Sequence, residues 1–71
     1  MARQFYEISR DEKCIGLYKT NRGLVKRLNL IFKSKLFLYS VILWDGSPNS
    51  PHSGIKDIIN AEEYMAREEG K

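Results

Sequence analysis

The sequence predicts a small α+β domain, with an antiparallel or mixed sheet of three to four strands and two helices in the order β-β-α-β-(β)-α. Three observations predict this class: two short segments rich in β-branched and aromatic residues, one segment with helical periodicity, and one long apolar run. At 71 residues the chain has the length of a single domain, which we take to cover residues 1–71. A domain this short buries only about 60% of its unfolded surface, so it needs tight packing or a partner.

The first two predicted strands form a hairpin. Residues 5–9 and 14–19 carry the β-branched and aromatic side chains, and the charged quartet at 10–13 separates them. This pattern predicts an antiparallel pair joined by a four-residue loop. We expect the apolar side chains of the two strands to pack together on one face: Tyr6, Ile8, Ile15 and Leu17.

An amphipathic helix is predicted next, with Thr20 or Asn21 as its N-cap. Its apolar residues recur at i, i+1, i+4, i+7 and i+8, which places them on one side of a helix with 3.6 residues per turn. The sequence Lys33-Ser34-Lys35 is expected to end it. The residues on the apolar side are Leu24, Val25, Leu28, Ile31 and Phe32.

The apolar run at residues 36–44 contains one polar residue, Ser40. Both alternating faces of a strand built from it are apolar, which is typical of an interior strand covered on both sides. One helix covers one side, so the other side needs a second helix or a second subunit. The run therefore predicts a protein partner or a homodimer.

Residues 45–54 are rich in Ser, Pro and Gly and predict a mobile surface loop. Two alternatives follow the loop. A helix beginning at Ile55 places Glu62 in the middle of its apolar face, whereas a short extended segment at 55–59 allows a helix to begin at Asn60. We favour the second, because Asn60 and Glu63 then have the spacing of a capping box.

Charge is distributed unevenly along the chain. Nine cations and three acids up to Ser40 give this part a net charge of +6, whereas three cations and six acids after it give −3. A concentration of positive charge attracts anions, and nucleic acid is the commonest large anion in a cell.

On the predicted helix, Arg22, Lys26, Asn29 and Lys33 recur at i, i+4, i+7 and i+11, opposite the apolar side. Such a stripe suits phosphate groups, although for this stripe alone we favour the solvated polar face that any surface helix needs. Neighbouring lysines extend it. The candidate macromolecule-binding residues are Arg22, Lys26, Asn29, Lys33, Lys35 and Lys19.

Catalytic and metal-binding patterns are not found in the sequence. One cysteine and one histidine do not make a closed zinc site, and no phosphate loop or nucleophile motif is present. We expect His52 to titrate as an exposed loop residue and Cys14 to be a small buried residue. The sequence thus predicts no metal, no cofactor and no enzymatic activity.

The N-terminal residues lack the apolar segment of a signal peptide, and the nine-residue apolar run is shorter than the roughly 20 residues of a membrane span. We expect a cytoplasmic protein that does not bind membranes. The predicted function is a small non-catalytic binding module, an inhibitor or regulator of the size common in phages and mobile elements. It would bind a protein or nucleoprotein target through the basic helix face and the apolar sheet. The alternative is a DNA- or RNA-binding protein that contacts phosphates non-specifically through the same residues.

Overall fold

Four antiparallel strands form one sheet in the order β2-β1-β3-β4, with two helices and a short 3₁₀ helix. The computed structural model describes residues 4–46 and 54–70. The predicted α+β class is confirmed, and the sheet is wholly antiparallel. In chain order the elements are β1 (Gln4–Arg10), β2 (Lys13–Tyr18), α1 (Asn21–Leu28), the 3₁₀ helix (Lys33–Leu38), β3 (Tyr39–Asp45), β4 (Gly54–Asn60) and α2 (Ala61–Glu69).

The predicted β1–β2 hairpin is confirmed, but its loop has two residues instead of four. Arg10 pairs with Lys13, so only Asp11 and Glu12 lie in the turn. Both have positive φ, 52° and 66°, as a type I′ turn requires. This turn matches the right-handed twist of the strands, which lets the ladder continue to the last charged pair.

The expected grouping of Tyr6 and Ile8 with Leu17 on one face is wrong. Leu17 pairs with Glu7, which points to the face opposite Ile8, and Tyr18 pairs with Tyr6. Ile15 is the extra residue where the register shifts next to Ile8, and it is exposed. The two-residue turn by itself would pair Ile8 with Ile15 and Tyr6 with Leu17. The extra residue Ile15 shifts the register by one residue beyond Ser9, and this shift moves Leu17 to the opposite face.

Helix α1 ends four residues earlier than predicted. Thr20 is the N-cap, and its Oγ1 accepts a hydrogen bond from the Gly23 backbone N–H at 3.1 Å. Leu24 and Leu28 are fully buried, as expected, but the helix ends at Leu28. Beyond it, i→i−3 hydrogen bonds tighten the chain and Phe32 is extended (ψ 133°). The chain turns here before it enters the sheet. The apolar residues that follow Leu28 at helical spacing are therefore not part of a helix with Leu24 and Leu28.

The predicted strand at 36–44 is divided between two elements. Residues up to Leu38 belong to the 3₁₀ helix, which buries Leu36, and β3 begins at Tyr39. β3 lies between β1 and β4, so its prediction as an interior strand is confirmed.

The favoured alternative for the C-terminal part is correct. β4 is extended, and α2 begins after Asn60, whose Oδ1 accepts a hydrogen bond from the Glu62 backbone N–H at 2.9 Å. Glu63, the acidic partner in the predicted capping box, accepts a hydrogen bond from Arg67 at 2.8 Å instead. The two residues form an i,i+4 ion pair along α2. Most of the predicted loop at 45–54, with His52, lies outside the described residues.

The buried core lies on one side of the sheet. Ile8, Leu24, Leu28 and Val41 are its fully buried large side chains, and both helices pack there against β1 and β3. The core is completed by Leu36, Ile59, Ala61, Tyr64 and Met65.

Candidate protein interface on the open face of the sheet

The second face of the sheet, which we call the open face, carries the side chains that alternate with the buried ones. Ile8, Val41 and Ile59 point towards the helices, so the residues beside them in each strand point away. The strand register arranges these residues in rows across the sheet. The rows are Leu17–Glu7–Ile42–Ile58, then Phe5–Trp44–Ile55, and, at the polar end, Cys14–Ser9–Ser40. Asn60 pairs with Ser40, but its side chain binds the first turn of α2 instead.

The first two rows form an apolar surface. Leu17, Ile55 and Ile58 expose 52%, 53% and 58% of their area, and Ile42 is half-buried between them. Both described helices lie on the other side of the sheet. The interior strand is therefore apolar on both faces, as its sequence indicates, but the helices cover only one of them. Exposed contiguous apolar surface of this kind is typical of an interaction site.

The second row contains a stacked aromatic pair. The rings of Phe5 and Trp44 are 5.5 Å apart between centroids and 7° from parallel, and Phe5 is buried. The Trp44 indole N–H donates a hydrogen bond to Glu7 Oε1 at 2.9 Å. The stack and the hydrogen bond hold the indole against β1, which gives this end of the open face a rigid surface.

Glu7 carries the only charge in the three rows. Its neighbours across the sheet are Leu17 and Ile42, and its side chain is half-buried. The Cys14 thiol lies beside it. Desolvation, the Glu7 charge and a hydrogen bond to Glu7 raise the pKa of this thiol above its ordinary value. Cys14 is exposed, so its expected burial is wrong; it lies on the side of β2 that neither α1 nor α2 covers.

The predicted basic stripe is not one helical row. Arg22 and Lys26 lie one turn apart on α1, but Asn29 is the C-cap and Lys33 belongs to the 3₁₀ helix. The Lys33 Nζ lies 3.5 Å from Glu69 Oε1 on α2, in an exposed ion pair. The early end of α1 breaks the spacing that aligned these residues in the sequence. All six candidate residues are nevertheless exposed: Lys19, Arg22, Lys26, Asn29, Lys33 and Lys35.

The segment after α1 exposes large apolar side chains. Phe32, which the sequence pattern placed on the apolar side of the helix, exposes 76% of its area, and Phe37, from the run expected to be covered on both sides, is also exposed. Leu30, which the pattern left off the apolar side, exposes 74%. Lys33 and Lys35 lie between the two phenylalanines in the chain. The helical periodicity places Phe32 on the apolar side of the helix and does not predict its exposure. That placement assumes that the helix continues to Phe32, whereas α1 ends at Leu28.

A cleft of about 400 Å³ lies between the helices and the end of the sheet, with Tyr6, Asn21, Tyr64, Arg67 and Glu68 in its lining. The Tyr64 hydroxyl donates to Asn21 Oδ1, and Asn21 Nδ2 donates to Glu68 Oε2 at 3.3 Å. Burial, the Glu68 charge and Tyr6 raise the pKa of Tyr64 to about 12. These polar groups bind one another and join α1 to α2, so we interpret the cleft as structural.

Within residues 4–46 and 54–70, no group of acidic, histidine and cysteine side chains has an arrangement that could hold a metal ion. The same part of the chain has no helix of the length and hydropathy needed to cross a membrane. Comparison with protein-family models, with curated proteins and with solved structures finds no match.

Proposed function

We propose that the protein is a non-catalytic binding module, an inhibitor or regulator, whose open face binds an apolar surface of another protein. The observation that carries the proposal is the uncovered apolar row that crosses the sheet from Leu17 on β2, past Ile42 on the interior strand β3, to Ile58 on β4. A sheet face of this composition is ordinarily covered by another layer.

Covering this face is energetically favourable. Removing the exposed half of a Leu or Ile side chain from water contributes about 1 kcal/mol, and Leu17, Ile55 and Ile58 each expose about half of their area. The stacked Phe5–Trp44 pair adds a rigid aromatic surface, of the kind enriched at the centres of interfaces. A partner that covers the face therefore gains binding energy without first ordering a flexible segment.

The basic residues on the helical side have a second role in this proposal. Their excess positive charge attracts a protein with an acidic surface and raises its association rate, while the apolar contact determines how slowly the complex dissociates. Raising the salt concentration is then expected to slow association more than it speeds dissociation.

Affinity capture from a nuclease-treated lysate, with matched variants, tests the proposal. Leu17→Asp with Ile58→Asp changes two exposed positions of the open face, and Glu62→Gln, at an exposed position of α2, is the control on the helical side. We expect one stoichiometric protein with the wild type and with Glu62→Gln, and its loss with the double variant. Circular dichroism checks that each variant is folded. Equal capture by all three proteins, or no capture by the wild type, contradicts the proposal.

The alternative function, nucleic-acid binding, is favoured by one specific observation: Phe32 and Phe37 are exposed and flank Lys33 and Lys35. Aromatic side chains next to cations stack unpaired bases while the cations bind phosphates. Gel retardation of a short single-stranded RNA tests it. Binding that weakens with salt and is lost with Phe32→Ala or Lys33→Glu, but persists with the open-face double variant, supports this alternative. A wild type that does not retard the RNA at low salt excludes it.

A further inference from the structure

We infer that the surface bound by the open face presents an Arg or Lys side chain to Glu7, surrounded by apolar residues. This inference rests on the proposed function and specifies the chemistry of the partner. It follows from one juxtaposition: a carboxylate in the same row as Leu17, Ile42 and Ile58.

A partner on the open face removes water from Glu7. A carboxylate that loses water is strongly destabilised unless a cation or hydrogen-bond donors replace it. The Trp44 indole supplies one donor to Oε1, and the Cys14 thiol is a weak donor. An ionised carboxylate has about four acceptor positions, so most of them remain without a donor. A guanidinium or ammonium group of the partner would fill these positions and balance the negative charge.

The same residue disfavours a second copy of this chain as the occupant. In a two-fold dimer whose axis passes close to Glu7, in the middle of the apolar row, the two Glu7 carboxylates approach each other. Like charges placed opposite each other in a desolvated contact repel. Glu7 also repels phosphate groups, so nucleic acid does not suit this face. A protein surface with a central cation avoids both penalties.

Selection of binders from a displayed library of random peptides tests the inference. The same library and conditions are used with each of several purified variants of this protein as the bait. The baits are the wild type, Glu7→Gln and Glu7→Lys, and the bait with Leu17→Asp and Ile58→Asp is the control that disables the apolar surface. Circular dichroism confirms that each bait is folded. We expect peptides selected by the wild type to combine apolar residues with Arg or Lys. Peptides selected by Glu7→Gln should lose the cation, and those selected by Glu7→Lys should gain Asp or Glu.

Affinity provides the second measurement. Peptides from the wild-type selection should bind Glu7→Gln at least about tenfold more weakly, because the desolvated cation then lacks its counter-charge. Peptides that need Leu17 and Ile58 but bind the wild type and Glu7→Gln equally overturn the inference and leave the proposed function standing. Peptides that still bind the double variant, or a wild-type selection that yields no binder, overturn both.

Sedimentation of the wild type tests whether a second copy of this chain binds the open face. A monomer at micromolar concentration is the expected result. A dimer that the Leu17→Asp and Ile58→Asp substitutions abolish makes a second copy the occupant and overturns the inference.

Discussion

The Trp44 indole N–H donates to Glu7 Oε1 at 2.9 Å, between residues 37 positions apart in the sequence. The contact joins β3 to β1 on the face that no described helix covers. It fixes a carboxylate and a large aromatic ring side by side, and both the proposed interface and the inferred cation depend on that placement.

Trp44→Phe should lower the free energy of unfolding by about 1 kcal/mol, because it removes the donor to a half-buried carboxylate and keeps a ring that can stack on Phe5. Urea unfolding followed by circular dichroism measures the change. The matched variant Glu7→Gln retains an acceptor oxygen and should cost less. Equal stability of Trp44→Phe and the wild type would show that the hydrogen bond contributes nothing to folding.

The Cys14 thiol should react slowly with iodoacetamide near neutral pH, because its raised pKa keeps the thiolate scarce. Glu7→Gln removes the negative charge beside it, so the pH–rate profile should shift to lower pH. Mass spectrometry follows the reaction at this single cysteine. A profile that is the same in both proteins contradicts the placement of Glu7 next to Cys14.

Stability should fall at alkaline pH through Tyr64. Its ordinary pKa is 10, and the fold raises it to about 12, so the folded state favours the protonated phenol. This stabilisation is fully present below about pH 10 and is lost as the pH rises towards about 12. Denaturant unfolding at several pH values measures it. Tyr64→Phe should cost about 1 kcal/mol at neutral pH through the lost hydrogen bond to Asn21, and should show a smaller alkaline loss. An unchanged alkaline loss in that variant would assign the effect to other groups.

Glu12→Gly should stabilise the protein by about 0.5–1 kcal/mol, because Glu12 has a φ of 66°, which glycine adopts at little cost. The matched control is Glu62→Gly in the first turn of α2, where the same exchange should destabilise by a similar amount. Thermal unfolding compares the two. If both variants lose stability, the turn does not have the left-handed conformation described here.

Asn60 has two separable contacts, and two substitutions distinguish them. Its Oδ1 caps α2, and its Nδ2 donates to the Phe37 carbonyl at 3.0 Å. Asn60→Asp retains the cap and loses the amide donor, whereas Asn60→Ala loses both. We expect Asn60→Ala to cost about 1 kcal/mol or more and Asn60→Asp clearly less, as measured by denaturant unfolding. Equal losses would mean that the cap has no stabilising effect.

The elements with strong local signals were predictable. The charged quartet between two β-rich segments marked the hairpin, and the spacing of Asn60 and Glu63 marked the start of α2. Thr20 was one of two candidate N-caps and is the residue used. Such signals rest on contacts within a few positions, so the residues concerned suffice to reveal them.

The candidate site was predictable only in part. The interior strand was expected to be apolar on both faces, and it is. Leu17 and Ile15 were expected to pack with Tyr6 and Ile8, but Leu17 lies on the other face and Ile15 is exposed. The basic stripe followed from a periodicity that the structure does not continue past Leu28, and Phe32 is exposed for the same reason. The residue at which a helix ends depends on the position of the next segment in the fold. The spacing of apolar residues along the chain carries no information about that position.

The sequence by itself determined the α+β class, the hairpin, the start of α2 and the uneven distribution of charge. Tertiary structure alone decided that both helices pack on one side of the sheet and that Glu7 lies among Leu17, Ile42 and Trp44 on the other. The reason is that side chains alternate along a strand, so cross-strand register determines which residues meet. The extra residue Ile15 moves Leu17 beside Glu7, and the pairing of β1 with β3 brings Ile42 there as well. Neither pairing is contained in the local pattern of one segment, and the packing of the helices decides which face of the sheet remains uncovered.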